Sequence, residues 1–148
     1  MIMKKVTYLL FLLPLIFISC SKNEVDMRDD YVGTWNESSV GSMSLLLNGS
    51  IVSTTPLSDS QTGIEITKSG TNQLVIDGLA VTVSGSKLSI ESNTQTETQD
   101  GITMTVTSKY NGTVSKNMIV VNENYTGSWS MTGMSGTISG SSVYTFTR

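Results

Sequence analysis

The chain has 148 residues, enough for one compact domain, and its 12 acidic against 9 basic residues give a formal net charge of −3. An acidic chain with so few lysines and arginines offers no positively charged surface for nucleic acid. Histidine is absent and Cys20 is the only cysteine, which excludes Ser/His/Asp and Cys/His nucleophiles, His/Cys zinc or haem sites and intramolecular disulfides. A carboxylate pair, a tyrosine or lysine base, or a calcium site made of oxygen ligands remains in principle. We nevertheless expect a protein that is not an enzyme and that holds no metal or cofactor.

The start of the chain has the features of a secretory signal. Lys4 and Lys5 provide a positive charge, and an uncharged apolar run then extends to Ile18, just before Cys20. This run is shorter than the roughly 20 apolar residues that cross the hydrocarbon core of a membrane. We therefore expect residues 1–19 to be a signal peptide that is removed.

The end of this signal resembles that of a bacterial lipoprotein, in which the cysteine becomes the lipidated first residue. That resemblance implies acyl chains on Cys20, a charged flexible tether over residues 20–30, and attachment to the outer membrane of a bacterial envelope. Each buried CH₂ contributes about 0.8 kcal/mol, so two or three chains would hold the protein on the membrane. The periplasmic and the surface-exposed face both remain open. An unmodified Cys20 beside an ordinary cleavage site is the alternative.

From Tyr31 onward, apolar and polar residues alternate between turn residues, which predicts short β-strands. The first predicted strand contains Gly33-Thr34-Trp35. Asn48-Gly49 lies between two apolar runs and predicts a type I′ hairpin turn, because both residues tolerate positive φ. Residues 56–62 are predicted to form a loop.

The second half of the chain continues this pattern. Asp77-Gly78 predicts a further turn. The polar stretch 92–101 predicts either a loop at a barrel mouth or the exposed end of a long hairpin, and its threonine-rich alternation favours the hairpin. Ile102, Met104 and Val106 then share one face of the next strand.

These strands predict an all-β domain over residues 31–148. About eight to ten strands joined by tight turns form an antiparallel up-and-down meander, which removes its exposed edges by closing into a barrel. A two-sheet β-sandwich is the alternative.

The sequence Gly33-Thr34-Trp35 resembles the Gly-x-Trp signature of lipocalins and the wider calycin group. Together with the lipoprotein start, it is similar to the small calycin-like lipoproteins of Bacteroidota. In the calycin pattern, the tryptophan packs at the closed end of the barrel and a basic residue of the last strand lies across it. The resemblance therefore assigns structural roles to Gly33, Trp35 and Arg148.

Four aromatic residues are candidates for lining a ligand pocket or a sugar-binding platform, with core packing as the alternative for each. They are Tyr110, Tyr125, Trp129 and Tyr144. We predict a membrane-anchored binding module for an unidentified small apolar, glycan or peptide ligand. The alternative is a solid barrel that acts as a protein-interaction, inhibitor or structural subunit at the envelope.

Overall fold

The computed structural model describes residues 26–148, and these residues are almost entirely β-strand. A short 3₁₀ helix, Met27–Asp30, precedes eight strands: β1 (Gly33–Leu47), β2 (Ser50–Ser69), β3 (Gln73–Ile76), β4 (Leu79–Ser84), β5 (Lys87–Gln99), β6 (Ile102–Ser115), β7 (Met118–Met131) and β8 (Met134–Thr147). Each strand pairs antiparallel with the next, and β8 pairs with β1. This closed barrel confirms the predicted all-β meander and excludes the sandwich.

The predicted signal peptide and Cys20 lie outside the described residues. Within residues 26–148, no helix has the length and hydropathy needed to cross a membrane.

Local turn chemistry explains the hairpins. Asn48 and Gly49 have φ values of 51° and 80°, and Asp77 and Gly78 have values of 48° and 77°. Positive φ at both central residues defines the type I′ turn, whose twist matches that of the two strands it joins. The structure thus confirms the predicted turns at these two positions.

The predicted loop at residues 56–62 is wrong. These residues continue β2, which stays paired with β1 from Ser42↔Pro56 to Asn36↔Thr62. A proline is tolerated in an edge strand when its missing N–H faces away from the neighbouring strand. This part of β2 is such an edge, because β3 pairs only with Ile66–Ser69.

The polar stretch 92–101 forms the tall end of the β5–β6 hairpin, as the favoured interpretation predicted. Hydroxyl pairs cross its outer face at oxygen–oxygen distances of 2.8, 2.9 and 2.9 Å, between Thr94 and Thr107, Thr96 and Thr105, and Thr98 and Thr103. Each such cross-strand pair contributes about 0.2–1 kcal/mol. The pairs therefore stabilise a hairpin that extends beyond its shorter neighbours.

Unequal strand lengths divide the barrel into a closed lower end and an open upper end. β3 has 4 residues and β4 has 6, whereas β2 has 20 and β5 has 13. β5 pairs with β4 only over Lys87–Ser89, so the upper halves of β2 and β5 each have an unpaired edge within the described chain. We call the opening between these two edges, above the β3–β4 hairpin, the side notch.

The apolar core fills the closed end, and Trp35 lies within it at 1% exposure. Its indole Nε1 donates a hydrogen bond to the Tyr31 carbonyl oxygen at 2.9 Å. The Arg148 guanidinium lies 4.6 Å from the centre of the Trp35 ring and donates to three backbone carbonyl oxygens, including that of Lys116 at 3.1 Å. Arg148 therefore joins β8, the β6–β7 turn and the N-terminal segment.

Residues 26–30, which belong to the predicted tether, pack against the closed end. Arg28 binds the Asp26 carboxylate at 2.7 Å and donates to three backbone carbonyls of the β2–β3 turn. The Asp26 carboxylate accepts hydrogen bonds from the Arg28 guanidinium and the Arg28 backbone N–H. These bonds, assisted by Lys68, hold the pKa of Asp26 well below its usual range. The described fold therefore includes these residues as well as the predicted domain from Tyr31 onward.

We predict that Trp35→Ala lowers the free energy of unfolding by about 3–5 kcal/mol, because the change leaves a cavity in a fully packed core. Urea denaturation followed by far-ultraviolet circular dichroism measures this loss. Val40→Ala is the control, since Val40 is 64% exposed on the same strand, and its unfolding midpoint should stay unchanged. An unchanged midpoint for Trp35→Ala would contradict the structural role of this residue.

Candidate functional site: the upper cavity

A cavity of about 670 Å³ lies above the closed-end core, and residues from both edges of the side notch line it. Its floor is apolar and includes Ile76, Val81, Val121 and Phe146. Its rim is mostly polar and includes Ser58, Asp59 and Gln61 of β2, Asp77 of the β3–β4 turn, and Asn93 and Gln95 of β5. Small-molecule sites typically have volumes of about 300–1,000 Å³. The barrel is therefore not solid at its upper end.

Two of the four predicted aromatic candidates, Tyr110 and Tyr144, line this cavity. The Tyr144 hydroxyl donates a hydrogen bond to Glu123 Oε2 at 2.6 Å. Tyr110 lies directly opposite Glu123 in the β6–β7 register. The strands thus place two tyrosines around one buried carboxylate.

The third candidate, Tyr125, lies on β7 two residues beyond Glu123, on the same face. It is buried, and its hydroxyl forms a hydrogen bond with the Ser142 Oγ of β8. We call these five residues the tyrosine cluster: Tyr110, Glu123, Tyr125, Ser142 and Tyr144.

Burial raises the pKa of the Tyr144 phenol, and the hydrogen bond to Glu123 raises that pKa further. Burial likewise raises the pKa values of Tyr110 and Tyr125. All three phenols are therefore protonated near neutral pH and can act as hydrogen-bond donors. Of the cluster, Tyr110, Ser142 and Tyr144 line the cavity and supply aromatic rings and hydroxyl groups to its wall.

The fourth candidate, Trp129, does not line the cavity. It is 7% exposed, and its indole Nε1 donates to the Leu46 carbonyl oxygen at 3.2 Å. The ring lies opposite Gly136, where an added Cβ would approach Trp129 Nε1 to 2.6 Å. An aromatic ring that covers a glycine on the neighbouring strand stabilises their pairing. Trp129 therefore packs against the backbone of neighbouring strands and is not part of the cavity lining.

The sequence analysis missed Glu37, which the structure places in the cavity wall. Among the described residues, the buried polar or charged side chains are Glu37, Glu123 and Ser142. Glu123 and Ser142 each have a tyrosine partner. Glu37 is 9% exposed and forms no side-chain hydrogen bond or ion pair with any other residue in the range 26–148. No fully buried side-chain nitrogen or oxygen atom of the described chain lacks a partner, so the Glu37 carboxylate oxygens are open to the cavity and not enclosed by protein.

The Glu37 carboxyl group has a raised pKa. Burial raises the pKa of Glu37, and the negative charges of Asp77 and Asp59 raise it further. No group of three His, Cys, Asp or Glu side chains within the described residues is placed to hold a metal ion. The site therefore supplies spatially separated carboxylates around an apolar floor.

The missed residues did carry a sequence signal. Side chains two residues apart on a strand share a face, so Glu37 faces inward with Trp35, and Glu123 faces inward with Tyr125. A carboxylate that lies on the same strand face as a buried aromatic residue is therefore predicted to point into the barrel.

Comparison of the chain with protein-family models, with curated proteins and with solved structures gives no match.

We predict that Glu37→Gln stabilises the protein at pH 7 and raises its melting temperature by a few degrees. Because the pKa of Glu37 is higher in the folded than in the unfolded state, the folded state binds more protons between the two pKa values. The contribution of Glu37 to stability consequently falls as pH rises through that interval, and glutamine removes this loss.

Thermal denaturation at pH 7 and pH 4 measures the effect, and the advantage of Glu37→Gln should shrink at pH 4. Glu65→Gln makes the same chemical change at an exposed position of β2 and should leave the melting temperature unchanged. A gain that is equal at both pH values would contradict this assignment.

Proposed function

We propose that this chain is a lipoprotein of the bacterial cell envelope whose barrel binds a small ligand in the upper cavity. The observation that carries the proposal is a space of about 670 Å³ with an apolar floor, a polar rim and an opening to one side. Small barrels of about eight strands either fill with side chains or hold one small ligand, and an open cavity favours the second use.

The form of the cavity limits how a ligand can bind. An apolar portion would lie on the floor formed by residues such as Val81 and Phe146, with polar groups turned to the notch. The rings of Tyr110 and Tyr144 would form part of the wall. Apolar molecules, glycans and peptides can each use such a surface. The proposal includes no catalytic step.

The location is proposed from the N-terminal sequence, which resembles a lipoprotein signal ending at Cys20. The resemblance of Gly33-Thr34-Trp35 to calycin-like lipoproteins of Bacteroidota supports the same location. Asp26 binds Arg28 and Lys68 at the closed end, so the segment between Cys20 and Asp26 would leave the barrel there. Six residues reach at most about 20 Å. The closed end would then face the membrane, and the ligand would enter from the aqueous side.

A protein-interaction module is the second candidate, and the unpaired edges favour it. The upper parts of β2 and β5 have no neighbouring strand on their notch sides within the described chain. An extended peptide can add to such an edge through main-chain hydrogen bonds. A stoichiometric peptide or protein bound at the notch would support this candidate over the small-ligand proposal.

We expect a small molecule to co-purify with the protein when the full chain is produced in its own host, released from the membrane with a mild detergent and studied by native mass spectrometry. Ser39 lines the cavity, so Ser39→Trp should fill part of the space and lower occupancy at least tenfold. Ser38→Trp is the matched control, because Ser38 is the exposed neighbour on the opposite face of β1. Absence of any small molecule from the unmodified barrel would contradict the proposal.

We expect Cys20→Ser to move the full chain from the membrane fraction to the soluble fraction, because acyl chains on Cys20 supply the proposed attachment. Detergent-phase partitioning of cell extracts measures this change. Ser21→Ala alters the next residue and should leave the protein in the membrane fraction. Retention of Cys20→Ser in the membrane fraction would exclude lipid anchoring through this cysteine.

A further inference from the structure

We propose that the upper cavity selects an organic cation, whose ammonium or guanidinium group pairs with Glu37 while its apolar body lies on the cavity floor. This inference rests on the proposed function, because it requires that the cavity hold a small ligand.

The first observation is the missing partner of Glu37. A carboxylate removed from water normally has a hydrogen-bond or ion-pair partner, because its desolvation is costly. Tyr144 meets this need for Glu123 at 2.6 Å, whereas Glu37 lines the cavity at 9% exposure with no such partner in the described chain. The Glu37 carboxylate oxygens are open to the cavity, since no fully buried side-chain oxygen of the described chain lacks a partner. A ligand that fills the cavity would therefore remove this carboxylate from water. A cationic ligand would supply the partner that the protein does not.

The second observation is the charge of the cavity wall. Glu37, Asp59 and Asp77 all line it, and no lysine or arginine of the described chain does. Asp59 accepts hydrogen bonds from the Ser60 backbone N–H at 2.8 Å and from the Gln61 amide at 3.4 Å. These donors are neutral, so the negative charge of Asp59 remains uncompensated. A cavity of one sign concentrates ligands of the opposite sign.

The cations of the described chain that have structural partners lie at the other end of the barrel. Arg28 and Lys68 pair with Asp26, and Arg148 lies over Trp35. Each is held at the closed end by these contacts. None of these three residues lines the upper cavity.

The third observation is the aromatic wall. The rings of Tyr110 and Tyr144 line the same cavity as Glu37, and the faces of such rings attract cations. An anionic ligand would meet repulsion from three carboxylates, and a neutral ligand would leave Glu37 without an ionic partner.

The distribution of these groups favours an organic molecule over a bare metal ion. The carboxylates of the described chain form no group of three that could hold one metal ion. The apolar floor, which includes Ile76 and Val121, would remain without a partner around a small ion. A molecule that carries its charge on an apolar body uses both parts of the cavity.

Isothermal titration calorimetry with n-octylamine, n-octanol and octanoate tests the inference, because these probes share an alkyl body and differ in the charge of the head group. The barrel, the full range 26–148, is titrated at pH 7 below the micelle-forming concentration of each probe. We expect octylamine to bind at least tenfold more tightly than the other two. We expect Glu37→Gln to remove that preference and to leave octanol affinity within about twofold.

Two further variants accompany Glu37→Gln: a matched control outside the cavity and a second carboxylate at its rim. Glu65→Gln makes the same change at an exposed site outside the cavity lining and should alter none of the affinities. Asp59→Asn, at the rim, should weaken octylamine binding severalfold, and it replaces Glu37→Gln if circular dichroism shows that the latter does not fold.

The outcomes separate this inference from the proposed function. Equal binding of octanol or octanoate would overturn the cation preference and would support a small-ligand cavity. Binding of none of the three probes would also overturn the inference, and the co-purification experiment with Ser39→Trp would then decide the proposed function independently. Octylamine binding that survives both Glu37→Gln and Asp59→Asn would overturn the role of these carboxylates.

Discussion

The shortness of β3 and β4 is the constraint on which the rest of this structure depends. With 4 and 6 residues, these strands close the barrel only at its lower end, beside strands of 13 to 20 residues. The lower end can therefore pack a continuous apolar core around Trp35. The upper end does not close within residues 26–148, and these residues leave the side notch, two strand edges without a paired neighbour and the cavity between them.

The two buried glutamates, Glu37 and Glu123, differ in whether another side chain forms a hydrogen bond with the carboxylate. Glu123 is held by the Tyr144 hydroxyl and lies opposite Tyr110, so its polar group is satisfied within the fold. Glu37 lines the cavity without such a partner among the described residues. Its carboxylate oxygens are open to the cavity, so water can reach them in the free protein. A ligand that fills the cavity would remove them from water, which favours a ligand that supplies a positively charged partner.

Local chemistry made much of the fold predictable. Asn48-Gly49 and Asp77-Gly78 define turns through their own backbone preferences, and alternation of apolar residues identified most strands. The loop predicted at residues 56–62 was wrong because of Pro56, since a proline interrupts a strand unless that strand lies at an edge. Here β2 has such an edge because β3 is short.

The cavity could not be predicted from local sequence either, because it depends on the relative lengths of strands around the closed barrel. The alternation of apolar and polar residues could indicate which aromatic residues face inward. It could not show that Tyr144 lines the cavity, whereas Trp129 packs against Gly136 of the neighbouring strand. Glu37 was within reach of sequence reasoning through its phase with Trp35. That phase becomes informative once the inward face of β1 is known.

We propose that the upper cavity is the binding site and that its carboxylates select the ligand. Nuclear magnetic resonance titration of the barrel, residues 26–148, with n-octylamine tests this claim most directly, because it locates the bound molecule. We expect saturable chemical-shift changes at the backbone amides of Glu37, Asp59, Tyr110 and Tyr144, with little change at the closed end around Trp35. Changes confined to the outer hydroxyl face around Thr96 and Thr105, or no saturable change, would contradict it.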